Sequence, residues 1–207
     1  HYDAKYSYLP KFSSRRCKKG IIVVKLFLKD ILTDADKVLY LDTDIIATSS
    51  IIHLWSINLS GKTVAATHRV HIPSVCINSG VILYNLNDLR KRDSELWKCA
   101  DMSNCVVDDA WHTWCHHNEW IVVLPYRYNV EFMAMSNKYN ISEYQINEEE
   151  KACLFHLKDE FHKFYEVKNV NDMRDIELIN ENPKILKYFD KLFDIKNWVE
   201  NQIKNAK

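Results

Sequence analysis

Apolar residues in this chain fall in short blocks, each followed by a stretch with helical spacing. The block Val38-Leu39-Tyr40-Leu41 predicts a buried strand, Lys37–Leu41, that stops abruptly at Asp42-Thr43-Asp44. Residues 63–66, 81–84, 121–124 and 154–156 read as further strands, the fourth of the five ended by Pro125. Residues 21–32 carry Ile22, Leu26, Leu28 and Leu32 at helical spacing and predict a helix with Lys25 and Lys29 one turn apart on one side. A short apolar segment, Ile51–Trp55, has Ser49 or Ser50 available as its N-cap. Asn87 or Asp88 is expected to start a helix running to about Cys99, with Leu89, Leu96 and Trp97 on its apolar side. Asp108 and Asp109 open another, in which Ala110, Trp111, Trp114 and Cys115 have helical spacing. A closing helix, 183–207, lines up Ile185, Phe189, Leu192, Val199 and Ile203 as a packing side. Polar Asn78-Ser79-Gly80 reads as a turn leading into the strand at Val81.

Strands that alternate with helices predict an α/β fold with a parallel or mixed sheet. Ligands of such sheets sit at the carboxyl ends of the strands. Asp42, Asp44, Asn78, Asp108 and His156 all fall near predicted strand ends or helix starts, so one shared rim is expected.

The 207 residues suit a single domain, and a hydrophobic content of 47% is enough for a core. A formal net charge of +0 excludes the basic excess of an electrostatic nucleic-acid binder. With Gly 3 and Pro 4, long flexible linkers are excluded as well. No apolar run reaches the ~20 residues of a membrane span, and no signal peptide opens the chain. The six cysteines form no Cys-x-x-Cys pair, which argues against a zinc ribbon or a thioredoxin-like site. Asn58-Leu59-Ser60 and Asn140-Ile141-Ser142 fit the glycosylation pattern at about chance frequency.

Asp42 and Asp44 carry the candidate chemistry. Two residues apart on an extended backbone, their side chains share one face. Adjacent carboxylates repel unless a cation sits between them, and hard oxygen ligands suit Mg²⁺ or Mn²⁺. The competing reading is a strand end whose acids cap backbone groups in a turn. Each other residue also has a plain structural reading: His156 as a core histidine, Lys25 as a solvated helix face, Asp108 as an N-cap. Trp111 and Trp114 read as core rather than a sugar platform, and His112 with His116 as a zinc grip lacks further ligands.

Lys25-Leu26-Phe27-Leu28-Lys29-Asp30-Ile31-Leu32, then Val38-Leu39-Tyr40-Leu41-Asp42-Thr43-Asp44, then Ile77-Asn78-Ser79-Gly80-Val81-Ile82-Leu83-Tyr84-Asn85-Leu86, resembles the family 8 glycosyltransferases. Within them the likeness is nearest to the glucoside xylosyltransferases, over roughly residues 25–165. The resemblance implies a GT-A-like mixed sheet flanked by helices and retaining transfer of a sugar from a UDP-sugar. UDP-xylose is the weakly preferred donor, and a glycan or glycoprotein the acceptor. It implies Mn²⁺, with Mg²⁺ possible, held by Asp42, Asp44 and His156. Thr43 would face the nucleotide ribose or the core, and Lys25, Asn78, Ser79 and Gly80 would lie near the transferred sugar. Asp108 and Asp109 would occupy the place of the family's Asp-Gln-Asp, with Asp109 near the anomeric carbon, and Lys163 would reach the donor.

The pattern is not complete. Ala110 stands where the third acid of Asp-Gln-Asp belongs, and the basic-Pro-Trp ending is missing, with Lys158, His162 and Lys163 the nearest substitutes. The loop from Thr67 to Ile77 is short for that branch. The family's first nucleotide-binding units should precede Lys25, where only a short polar lead stands, so the single domain 1–207 is expected to be N-terminally incomplete. By analogy the compartment is the secretory lumen, Golgi or ER, or the cytoplasm for a prokaryotic protein. Two competing readings are a degenerate, non-catalytic sugar-binding module and a haloacid-dehalogenase-type phosphohydrolase with Asp42 as nucleophile.

Overall fold

A 3-10 turn at Val24–Phe27 runs into α1 (Leu28–Ile31), then β1 (Lys37–Leu41) and β2 (Ile45–Ala47). They are followed by α2 (Ile52–Trp55), β3 (Val64–His68), β4 (Ile77–Asn85) and α3 (Leu86–Lys91). Next come β5 (Ile121–Val123), a 3-10 turn at Tyr126–Tyr128, β6 (Val130–Glu131), β7 (Leu154–His156) and α4 (Leu186–Asn205). The computed structural model describes residues 24–68, 77–95, 118–131, 152–157 and 186–205.

The described strands form two mixed sheets. The first has the order β1-β4-β3-β5, antiparallel except for the parallel β3–β5 pair. The second has the order β2-β7-β6, with β2–β7 antiparallel and β6–β7 parallel. Side-chain alternation along β4 explains why it is the centre of the first sheet. Ile82 and Tyr84 enter one core with Phe27, Val64, Leu86 and Leu89, while Val81 and Leu83 enter the other with Leu54, Leu124 and Leu154. A strand covered on both faces must be apolar throughout, and Val81-Ile82-Leu83-Tyr84 is. On β1, likewise, Val38 and Tyr40 pack on the first core and Leu39 on the second.

Several expectations need correction. β1 is only half-buried and its last residue, Leu41, is 37% exposed, because it is the terminal strand of the described sheet. Of the helix expected over residues 21–32, the described part from Val24 is a 3-10 turn followed by a single α-turn. Asn78-Ser79-Gly80 is not a turn before the strand: the ladder already begins at Ile77, with Asn78 opposite Thr67. The helix after β4 starts earlier than expected. Asn85 is its N-cap, accepting from the Asp88 N–H at 3.1 Å while its own amide donates to the Leu59 and Lys62 carbonyls. It ends at Lys91, residues 93–95 are helical again after a turn at Arg92, and residues 96–99 lie outside the described residues. In α4, Phe193 is buried, whereas Val199 and Ile203, expected to pack, are 39% and 55% exposed.

One contact fixes the segment that precedes β1. The last carbonyls of a helix have no partner within it. Arg90 of α3 collects those of α1 and the following turn, donating to the carbonyls of Lys29 at 3.0 Å, Leu32 at 2.7 Å and Ala35 at 3.0 Å. Lys29, buried, pairs with Asp30 and Asp93, each at 2.8 Å. Burial alone would depress the Lys29 pKa, but these two carboxylates outweigh it and hold the ammonium above its ordinary value. α1 is thereby locked to α3, and with it the position of Lys25 in the preceding turn.

Candidate active site

The chain leaves the first sheet and enters the second at Asp42-Thr43-Asp44. These residues form a tight turn, closed by the Ile45 N–H donating to the Asp42 carbonyl at 3.1 Å. The two acids are therefore brought together by a turn, and not by alternation along an extended strand as expected. Both sheets hold this turn: the Asp42 N–H donates to the Gly80 carbonyl at 2.8 Å, and the Leu157 N–H to the Asp44 carbonyl at 3.0 Å. Thr43 is exposed, not directed into the core.

β7 pairs with β2 so that His156 lies opposite Ile45, and this register delivers the imidazole to the acids. His156 Nε2 is 3.4 Å from Asp44 Oδ1 and 3.8 Å from Asp42 Oδ2. One ligand atom from each of the three residues falls within 4.8 Å of the others. These contacts are too long for good direct hydrogen bonds. Adjacent ligands of an octahedral cation with bonds of ~2.1 Å are ~3 Å apart, so the three groups are spaced to close on one ion.

The tautomer of His156 supports that use. Its Nδ1 lies 3.1 Å from the Asn129 side-chain oxygen. With that oxygen as acceptor, Nδ1 would carry the proton and Nε2 would turn a lone pair toward the carboxylates. Asn129 is fully buried, just past the 3-10 turn that Pro125 begins. Asn129→Ala is expected to weaken divalent-cation binding about 10–100-fold with an unchanged far-UV spectrum. Calorimetric titration checks this, and an unaltered affinity would show that the ring is held by something else.

Asp42 is oriented from behind. Its Oδ1 accepts the Tyr40 hydroxyl at 2.6 Å and lies 3.3 Å from Lys25 Nζ, which leaves Oδ2 toward His156. Lys25 is 4% exposed, donates to the Ser79 carbonyl at 3.0 Å and hydroxyl at 3.2 Å, and sits 4.7 Å above the Tyr40 ring. The reading of Lys25 as a solvated helix face is overturned. The 3-10 geometry points it inward, where its charge offsets that of one carboxylate. Two carboxylates and an imidazole on one rim are a donor set suited to a divalent cation.

Asn78, Ser79 and Gly80 line the same rim, because β4 starts where its antiparallel neighbour β1 ends. Asn78 accepts from the Gly80 N–H at 2.9 Å and donates to Glu131. Gly80 is required by close approach. A Cβ there would collide with Cε1 and Nδ1 of the His156 ring. Lys25, Asp42, Asp44, Asn78, Ser79, Gly80 and His156 thus converge as expected. Asp108, Asp109 and Lys163 lie outside the described residues, as do His112, His116, Trp111 and Trp114.

Residues 2–156 of the 207 match the family model for glycosyl transferase family 8. The chain belongs to that family. Sequence comparison with curated proteins finds no match. Among solved structures, the apo WbbM bifunctional glycosyltransferase aligns with a TM-score of 0.57 and 14% identity, over 74% of this chain and 35% of that one. GlyE of Streptococcus pneumoniae TIGR4 gives 0.54 and 20% identity, over 70% of this chain and 38% of that one. Apo mouse xyloside xylosyltransferase 1 gives 0.53 and 16% identity, over 77% and 70%. At these identities the likeness is one of fold, and the fold of this family 8 chain is GT-A-like. Membership sets aside the phosphohydrolase reading of Asp42. No described helix is long and apolar enough to cross a membrane.

Sequence reasoning missed Tyr40, Asn129 and Glu131. Tyr40 had a signal: two residues before Asp42, it shares that residue's side of the chain. Asn129 had only its place after an aromatic turn, and Glu131 had none.

Proposed function

We propose that this chain is a divalent-cation-dependent, retaining glycosyltransferase that uses a UDP-sugar donor. The observation that carries the reading is the Asp42–Asp44–His156 cluster, within 4.8 Å, at the rim where the two sheets meet. Two carboxylates and one imidazole form a mixed oxygen–nitrogen donor set, which suits Mn²⁺ better than Mg²⁺. These three side chains would hold the ion, and when bound it supplies charge stabilisation to a departing nucleotide diphosphate.

The residues of the chain do the rest. Tyr40 and Lys25 keep Asp42 aimed at the ion position, and Asn129 keeps the His156 lone pair there. Asn78, Ser79 and Gly80 would lie close to the transferred sugar. The bond between anomeric carbon and diphosphate oxygen breaks, and an acceptor hydroxyl forms the new glycosidic bond on the same face. Its proton leaves with the diphosphate. In this proposal Asp109, with Asp108 beside it, stabilises the oxocarbenium-like carbon, and Lys163 binds the diphosphate. The acceptor is a glycan or glycoprotein, and UDP-xylose is the donor to test first, following the motif likeness to the glucoside xylosyltransferases. The proposed compartment is the lumen of the Golgi or ER.

Titration of the full chain with UDP, with and without Mn²⁺, tests this reading. Metal-dependent UDP binding and transfer from UDP-xylose or another UDP-sugar are expected. UDP binding that ignores the metal, or no binding, overturns the reading. Metal-dependent binding without transfer from any UDP-sugar favours a non-catalytic module on the same fold.

A further inference from the structure

Glu131 is completely buried, yet it is an acid in a two-residue strand. A buried carboxylate costs several kcal/mol unless its surroundings compensate it, so its partners are informative. Its side chain accepts from the Asn78 amide. Its backbone N–H donates to the Tyr126 hydroxyl at 2.9 Å. Its neighbour across the parallel β6–β7 ladder is His156.

The Asn78–Glu131 bond joins the two sheets, since Asn78 belongs to β4 and Glu131 to β6. On the β4 side the connection continues. Asn78 accepts from the Gly80 N–H, the Gly80 Cα lies under the His156 ring, and the Gly80 carbonyl accepts from the Asp42 N–H. Ser79, between them, holds Lys25 and through it Asp42. The polar chain therefore starts at the register neighbour of His156 and ends at the acids that His156 faces.

We propose that Glu131 is a positioning residue. Its carboxylate clamps the Asn78–Gly80 segment against the second sheet and so sets the place of the His156 ring relative to Asp42 and Asp44. It touches neither the ion nor the donor. The inference rests on the proposed metal-dependent function for its importance, but not for its test.

The test is a swap of donor and acceptor. Asn78→Asp replaces the amide donor by a second carboxyl group; studied at a pH alkaline enough to ionise both, it leaves the bond without a hydrogen and the segments repel. Asn78→Asp combined with Glu131→Gln restores one amide and one carboxylate with the roles exchanged. In the metal-free full chain, ring nitrogen resonances of His156 are expected to shift or broaden in Asn78→Asp and to return toward native values in the double variant. Mn²⁺ affinity is expected to fall about 10–100-fold in the single variant and recover in the double. Unmoved His156 resonances in folded Asn78→Asp, or a double variant no better than the single, overturn the proposal. Should Asn78→Asp fail to fold, the double variant alone decides: native-like ring resonances support the clamp, and disordered ones overturn it. If the native chain binds no Mn²⁺, the functional reading fails while the ring resonances still decide the role of Glu131.

Discussion

Asp42→Asn is expected to lower sugar transfer by roughly 10²–10⁴-fold, the several kcal/mol that a correctly held metal contributes, while the chain stays folded. The fold survives because of what surrounds the side chain. An asparagine oxygen can still accept from the Tyr40 hydroxyl and from Lys25, which contact a single oxygen, Oδ1, in the native protein. The group lost is Oδ2, the one facing His156. Lys25 loses a formal counter-charge, which destabilises, but Asp44 loses a like-charged neighbour, which stabilises. The two effects oppose each other at similar distance. Asp42→Ala differs, since it leaves the buried Lys25 ammonium with Ser79 as its described hydrogen-bond partner, and it is expected to lower the melting temperature as well. Activity, Mn²⁺ titration and thermal unfolding of the two variants separate these effects. Full transfer by Asp42→Asn would remove the site from consideration.

Gly80→Ala is expected to be nearly as damaging to binding, through geometry alone. The methyl group would overlap the His156 ring. The ring cannot easily yield, since it sits in the β7 ladder with Nδ1 held by Asn129. Gly80 cannot yield either, because its N–H is bonded to Asn78 and its carbonyl to Asp42. Overpacking of this kind costs about 1–3 kcal/mol of stability. The larger effect falls on function: moving Nε2 by about an ångström spoils an ion site, and such misplacement costs ~10²-fold. Denaturant unfolding and Mn²⁺ titration measure the two parts. A variant with native affinity would mean that the ring is free to rotate away without penalty. Gly61, by contrast, is a glycine for its backbone, with φ of +70° and open space around it.

How much of this was legible in the sequence depends on the length of the signal. The runs Val38–Leu41 and Val81–Tyr84 end beside polar groups, and both proved to be strands whose ends meet at the rim. The likeness carried by Asp42-Thr43-Asp44 and Ile77–Leu86 led to the right family. β2 and β6 have three and two residues, too few for any period to show, so of the second sheet only its central strand, β7, was legible. Asn78-Ser79-Gly80 was misread because its composition is that of a turn, whereas pairing with Thr67 and His68 keeps it extended. The helix cap was misplaced because the strand continues through Asn85 after its apolar run has stopped. For Lys25 the plain reading of a solvated helix face failed, because spacing says which residues share a helical side, not which side faces inward; the family likeness had placed it at the site. Asn129 and Glu131 act through contacts distant in sequence, and nothing local announces them.

The corner at Asp42-Thr43-Asp44 has a consequence for how the protein matures. The carboxylates emerge early during synthesis, and the imidazole that completes the set emerges far later, on a strand of another layer. A chain interrupted before residue 152 contains both acids but lacks His156. In the proposed function, ion capture would therefore report on completed assembly: it would begin only when the late strand has docked, and a half-built domain would stay silent.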